Sequence, residues 1–294
     1  MREACNDLCD GMRGYNPTRR NRNIGTVKGD RGQENPMTVP AVSHGKYHFW
    51  ERIDDAKKVV RTVSGRQISF FVQPTRGDCV HACTIDDLTQ LLSCLPTPDW
   101  EGIEAILLRQ PRRKEQTLAA VWGRLTYAAD FVDGRGEILY SGPAIIIEAV
   151  NPRKPIKFGK RLSIESAAEL DRLRSDGHHV RDGDRNHTVD STLESCRATQ
   201  LYRTLPHEIG HWVDYLEKVE RPSGQLGADA SSDYQTLSDR FHSRPARERE
   251  QFAHGYAERL RAHLTAEQLI PFDRQLDREQ MQQDNLLLRD FELL

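Results

Sequence analysis

The segment His207-Glu208-Ile209-Gly210-His211 constrains this chain more than any other stretch. On an α-helix, residues four apart lie one above the other on the same face. Two imidazoles at that spacing can share one metal ion without bending the backbone. The flanks are amphipathic: Leu201, Leu205, Ile209, Val213 and Leu216 recur at helical spacing and predict a packed face away from the imidazoles. Gly210 lets another segment or a ligand approach the helix closely just before the second imidazole. Asp214 falls on the ligand face, where it can accept a hydrogen bond from an imidazole or from a neighbouring donor. Pro206 removes one helical hydrogen bond and favours a kink. Either the helix starts near Thr204 as N-cap, or a longer helix from about Arg197 bends there. Both readings leave the His pair on one face.

Glu208 points about 100° further round the helix than His207. Its carboxylate therefore lies beside the open coordination position, where it can serve as a general base towards a water molecule. A catalytic zinc site needs a third protein ligand, and its best source is a second helix predicted over Ala246–Leu264. Pro245 precedes that helix, and Phe252, Tyr256 and Leu260 repeat every four residues along it. Three side chains compete for the ligand role. Glu250 and His254 are one turn apart and share a face, whereas Glu248 faces another side.

The sequence from His207 to Asp214, followed some forty residues later by Glu250-Gln251-Phe252-Ala253, resembles the gluzincin metallopeptidases. The likeness is greatest to those of the anthrax-lethal-factor type and to the small bacterial minigluzincin domains. It covers about residues 140–264 and is specific at the two helices. The resemblance implies a zincin-like α+β fold, Zn2+ held by His207, His211 and Glu250, and Glu208 as general base. It also implies a peptide or protein substrate. At His254 this sequence departs from the family, which commonly has an acidic residue there, and His254 reads as a ligand, a partner supporting the ligands or a solvated His. The family tends to place a Tyr several residues before the ligand Glu. Here those positions hold Phe241, His242 and Ser243, and the closest Tyr is Tyr234. His242 is the candidate donor to a developing oxyanion, against the competing reading of a surface-loop His.

A peptide substrate needs a strand edge to lie along. Ala144–Val150, bounded by Gly142-Pro143 and Asn151-Pro152, is the sequence candidate, with an ordinary core strand as the alternative. Zinc peptidase activity is the leading expectation. The alternative is a non-catalytic, zinc-stabilised binding or regulatory protein.

A formal net charge of −2 gives no electrostatic reason to expect nucleic acid or an anionic membrane as partner. No apolar run is long enough to span a bilayer and no signal-peptide pattern is visible, so the expected location is the cytoplasm. Cys79-Val80-His81-Ala82-Cys83 is a weak candidate for a second metal site, with buried thiols as the alternative.

Residues 1–43 read as a disordered, mildly basic arm. Residues 44–139 read as a sheet-rich part and 140–294 as the catalytic part, with 44–294 as one domain the other division. Strands are predicted over Gln67–Val72, Ala105–Arg109, Val121–Ala128, Glu137–Tyr140 and Ile145–Val150, with Asp133-Gly134 turning a hairpin. They should form a mixed or largely antiparallel sheet. Thr84 and Asp87 should cap a helix over Ile85–Cys94, and Ser166 and Glu169 one over Ser166–Arg174 that stops at Gly177. Gly177–His187 reads as a polar loop with three His. Helical segments are expected around Thr265–Leu269 and Phe272–Phe291.

Overall fold

A computed structural model describes residues 51–112, 115, 121–224 and 230–293. The basic arm expected over residues 1–43 lies outside the described residues. The chain from Trp50 to Leu294 clusters as one compact unit of mixed α+β structure. Among the described residues no helix is long and apolar enough to cross a membrane.

The five-stranded main sheet holds β1 (Lys57–Val63), β2 (Arg66–Val72), β3 (Ala105–Arg109), β4 (Gly123–Val132) and β5 (Ile138–Glu148), in the order β1-β2-β3-β5-β4. It is mixed: β2, β3 and β5 run parallel, and the edge strands β1 and β4 pair antiparallel to their neighbours. Strand β1 is absent from the sequence expectations. Ser64-Gly65, both at positive φ (48° and 79°), turn it into β2 as a two-residue hairpin.

Ala144–Val150 is not an edge. It belongs to β5, which lies between β3 and β4, and Ala144 to Ile147 are essentially inaccessible. A continuous apolar run of this kind is buried on both faces, as expected for an interior strand. The two strands expected over Glu137–Tyr140 and Ile145–Val150 join into the single strand Ile138–Glu148 across Gly142-Pro143, with Ala149 and Val150 beyond its end. A bulge in β4, where Tyr127 and Ala128 stand opposite Pro143, leaves Pro143 outside the ladder, and Gly142 takes φ +149°, a conformation side chains disfavour.

Alternation along the strands divides the core in two. Ile68, Phe70, Ile106, Leu108, Ile145 and Ile147 face the helices, whereas Phe71, Leu107, Phe131 and Ile146 form a second, smaller layer on the opposite face. A separate three-stranded sheet, in the order β6-β8-β7, comprises β6 (Ile156–Gly159), β7 (His179–Asp182) and β8 (Asn186–Asp190). The expected polar loop over Gly177–His187 is thus largely a hairpin, since the charged residues of β7 point to solvent while Val180 packs with Val189 on its inner face.

Helix α1 (Ile85–Cys94) carries the expected capping box of Thr84 and Asp87. Asp87 is fully buried and also accepts both ends of the Arg197 guanidinium, at 2.8 and 3.0 Å. A second Asp87 contact, from the Gln275 amide, ties the C-terminal segment to the same point. Helix α2 (Ile164–Ser175) is capped by Ser163 rather than Ser166, and Glu169 binds Arg203 instead of closing a capping box. Gly177 ends the turn at φ +90°. Near the C-terminus the expected long helix is reduced to α8 (Arg278–Gln283) and a 3-10 turn at Leu288–Asp290.

His81 is buried, its Nε2 2.8 Å from the Gln73 carbonyl oxygen, with its ring against Phe291. Burial pulls the imidazole down from 6.5 to about 4, against the opposing pull of Gln73 and Asp290. Below 6.5 the unfolded chain takes up a proton that the folded protein refuses until about 4. The stabilisation is therefore complete above the unfolded value and is lost as pH falls towards 4. At about pH 4.5 the loss should be roughly 2.5 kcal/mol. Urea unfolding at neutral pH and at about pH 4.5 should show this drop in wild type and a smaller one, by that amount, in His81→Phe; equal drops would remove His81 as the cause.

Candidate metal centre

The backbone remains helical from Leu193 to Gly224. Helix α3 (Leu193–Thr199) passes through a π-helical turn at Gln200–Thr204 into α4 (Leu205–Tyr215). A second π turn at Leu216–Glu220 leads to α5 (Arg221–Gly224). Of the two sequence readings, the longer helix is the one found. Thr204 is not a cap: its backbone is helical and its hydroxyl donates to the Thr199 carbonyl at 3.0 Å. In the wide turn the Leu205 amide bonds to the Gln200 carbonyl five residues back. Widening just before Pro206 relieves the clash its ring would make with the preceding turn, so the helix continues.

Leu201, Leu205, Ile209, Val213 and Leu216 pack into the main core as their spacing predicts, together with Trp212. The imidazoles of His207 and His211 are left half-buried on the other side. Helix α6 (Ala230–His242) and a short loop lead to α7 (Ala246–Ala266), which packs directly on α4. Gly210 permits this approach. A Cβ on it would come within 3.0 Å of both the Ala253 Cα and its carbonyl oxygen, and within 3.1 Å of the Tyr256 ring.

That contact brings Glu250 to the imidazole pair. Its Oε2 lies 3.3 Å from His207 Nε2, its Oε1 lies 3.4 Å from His211 Nε2, and the two Nε2 atoms are 3.1 Å apart. Among the described residues these three form the group able to hold a metal ion. Donors on a tetrahedral ion with bonds of about 2.0–2.1 Å stand about 3.3–3.4 Å from one another. Glu250 offers a different oxygen to each imidazole, and with one atom from each residue the three donors lie within 4.8 Å of one another, close enough to share a zinc ion after small side-chain adjustment. Without a cation, Glu250 is held well below the usual carboxylate range by its hydrogen bonds to both imidazoles. Burial works against a proton on His211, but Glu250 and Glu208 outweigh it and raise its pKa.

The rivals of Glu250 are engaged elsewhere. Glu248 is exposed and lies 3.6 Å from Arg244. His254 packs against His207 with the rings tilted by 42° and centroids 4.4 Å apart, and its own pKa falls to about 4 through burial and the neighbouring positive groups. His207 Nδ1 is buried with no hydrogen-bond partner among the described residues, so the His254 ring is the neighbour that packs on this imidazole. Asp214 is fully buried and accepts from Lys218 and, at 2.8 Å, from Arg244. Its partners are thus neighbouring cations rather than an imidazole. It fastens the loop that enters α7, the helix that carries Glu250.

Glu208 is buried, and its Oε2 accepts the Leu125 amide at 2.7 Å. Burial raises its pKa, with the two imidazoles and that amide only partly opposing the rise. Leu125 belongs to the edge strand β4. The Glu148 amide bonds to the Trp122 carbonyl, so by antiparallel alternation the main-chain groups of Gly123 and Leu125 face away from the sheet. Further along, Glu51 and Ile53 bond to Val132 and cover the far end of the same edge.

His242 is exposed and packs on Tyr127 and Tyr215, with centroids 5.4 and 6.1 Å apart. Among the described residues it makes no hydrogen bond to the His207, His211 and Glu250 group. Tyr127, two residues after Leu125, lies against Tyr215 and Phe241, and burial raises its phenol pKa. Cys79, His81 and Cys83 do not converge: the Cys83 thiol points at the Arg197 carbonyl 3.8 Å away, and His81 binds Gln73. His178, from the histidine-rich segment, is buried between Ser191 and Thr199, at 2.9 Å from each.

No protein-family model, curated protein or solved structure matches this chain. Sequence reasoning found the three converging side chains and Glu208 but missed Leu125 and Tyr127. Leu125 acts through its amide, which leaves no mark on residue identity. Tyr127 is far from the motif in sequence, and only the sheet order brings β4 beside α4.

Proposed function

We propose that this protein is a zinc-dependent metallopeptidase of the gluzincin type, with a zincin-like catalytic fold. The observation that carries the proposal is the convergence of His207, His211 and Glu250 from two helices, with one donor atom of each within 4.8 Å of the others and Glu208 buried beside them. A zinc ion there would acidify a water molecule and polarise the substrate carbonyl. His207, His211 and Glu250 would hold it.

Glu208 takes the proton from the attacking water and returns it to the leaving amide nitrogen. Burial supports this, because a carboxylate with a raised pKa is a stronger base, and the Leu125 amide fixes the direction of its lone pairs. A peptide lying along the outer edge of β4 would pair with the outward main chain of Gly123 and with the Leu125 carbonyl, since the Leu125 amide is held by Glu208. This puts the scissile carbonyl beside Glu208. Asp214, through Arg244, keeps α7 and hence Glu250 in place.

The test is a comparison of protein N-termini in a cell lysate incubated with wild type or with Glu208→Gln. New N-termini should appear with wild type alone. Zinc-loaded, folded wild type that generates none would overturn the peptidase reading and favour the binding-protein alternative.

A further inference from the structure

Resting on that reading, we propose that Arg249 forms a subsite for a carboxylate side chain of the substrate, so that the preferred substrates are acidic peptides. Arg249 directly precedes Glu250 on α7. Its Nε is buried with no hydrogen-bond partner, and among the described residues its guanidinium makes no ion pair. That nitrogen is closed to solvent, so an incoming carboxylate would meet the Nη groups, which have no ion-pair partner among the described residues.

The nearby acids are already taken. Glu250 serves the two imidazoles, Glu248 lies by Arg244, and Asp214 binds Lys218 and Arg244. The guanidinium lies over the Phe241 ring, 5.9 Å from its centroid, which holds a cation without neutralising it. Phe241 in turn touches Tyr127, whose strand is the one that supplies the Leu125 amide to Glu208. The unpaired charge therefore sits beside the path a peptide would take along β4. Among the described residues it makes no ion pair with the Glu250 carboxylate, whose partners are the two imidazoles.

A planar guanidinium with free Nη groups matches a carboxylate in two-point contact. The experiment is cleavage-site profiling on a proteome-derived peptide library by full-length zinc-loaded wild type, Arg249→Gln, Arg249→Lys and Arg249→Glu. Wild type should show Asp and Glu enriched at one position flanking the cleaved bond. That enrichment should persist in Arg249→Lys, vanish in Arg249→Gln and give way to Lys and Arg in Arg249→Glu. For one acidic peptide, kcat/KM should fall about 10–100-fold in Arg249→Gln. Cleavage by wild type without acidic enrichment, or an unchanged profile in Arg249→Gln, overturns this inference and leaves the peptidase reading standing. Should Arg249→Gln fail to fold, the wild-type and Arg249→Lys profiles still decide. No cleavage by wild type at all overturns both.

Discussion

Replacing Glu208 by Gln is expected to reduce peptide hydrolysis by about 10²–10⁴-fold, the usual contribution of a positioned general base. Gln has nearly the same size, and its carbonyl oxygen can still accept the Leu125 amide now bound at 2.7 Å. The helix and the ligand group should therefore be preserved, and zinc content should match wild type. What disappears is the ability to take a proton. Rates on a cleavable peptide, measured beside the zinc-to-protein ratio, separate the two effects. Wild-type rates in a zinc-loaded Glu208→Gln would show that another group acts as base.

The second large effect is expected at Gly210. In Gly210→Val the new Cβ would meet the Ala253 main chain at 3.0 Å. Backbone cannot move aside as the end of a flexible side chain can, so α7 must shift away from α4. Overpacking of this kind costs about 1–3 kcal/mol. Because α7 carries Glu250, zinc affinity should fall with stability. Gly255→Ala on the same helix is the contrast. Its Cβ would meet only the flexible end of Arg259, and it should gain up to about 1 kcal/mol from helix propensity. Denaturant midpoints and zinc titrations of both variants check this. A Gly210→Val protein with wild-type stability and zinc affinity would contradict the packing described.

Local signals that depend on neighbouring residues were legible in the sequence. The Thr84–Asp87 box, the Gly177 stop and the buried stripe from Leu201 to Leu216 all appear as the residues predict. Glu250 stood first among three candidates and is the one that reaches the imidazoles. Signals that depend on distant partners were not legible. Gly142-Pro143 reads as a strand boundary, but a bulge in the facing strand β4 at Tyr127-Ala128 lets β5 run on through both residues. Pro206 reads as a start or a bend, whereas the π turn before it lets the helix continue. The edge role fell to β4 because sheet order depends on which strand has a covered neighbour on each side. Asp214 lies on the predicted face, yet its carboxylate goes to Arg244, which arrives from a loop thirty residues later.

The most direct test of the central claim is zinc K-edge X-ray absorption on the zinc-loaded full-length protein. The expected result is a first shell of nitrogen and oxygen alone at about 2.0–2.1 Å, with the outer-shell scattering of two imidazoles. A sulfur shell near 2.3 Å, or a signal from only one imidazole, would contradict it.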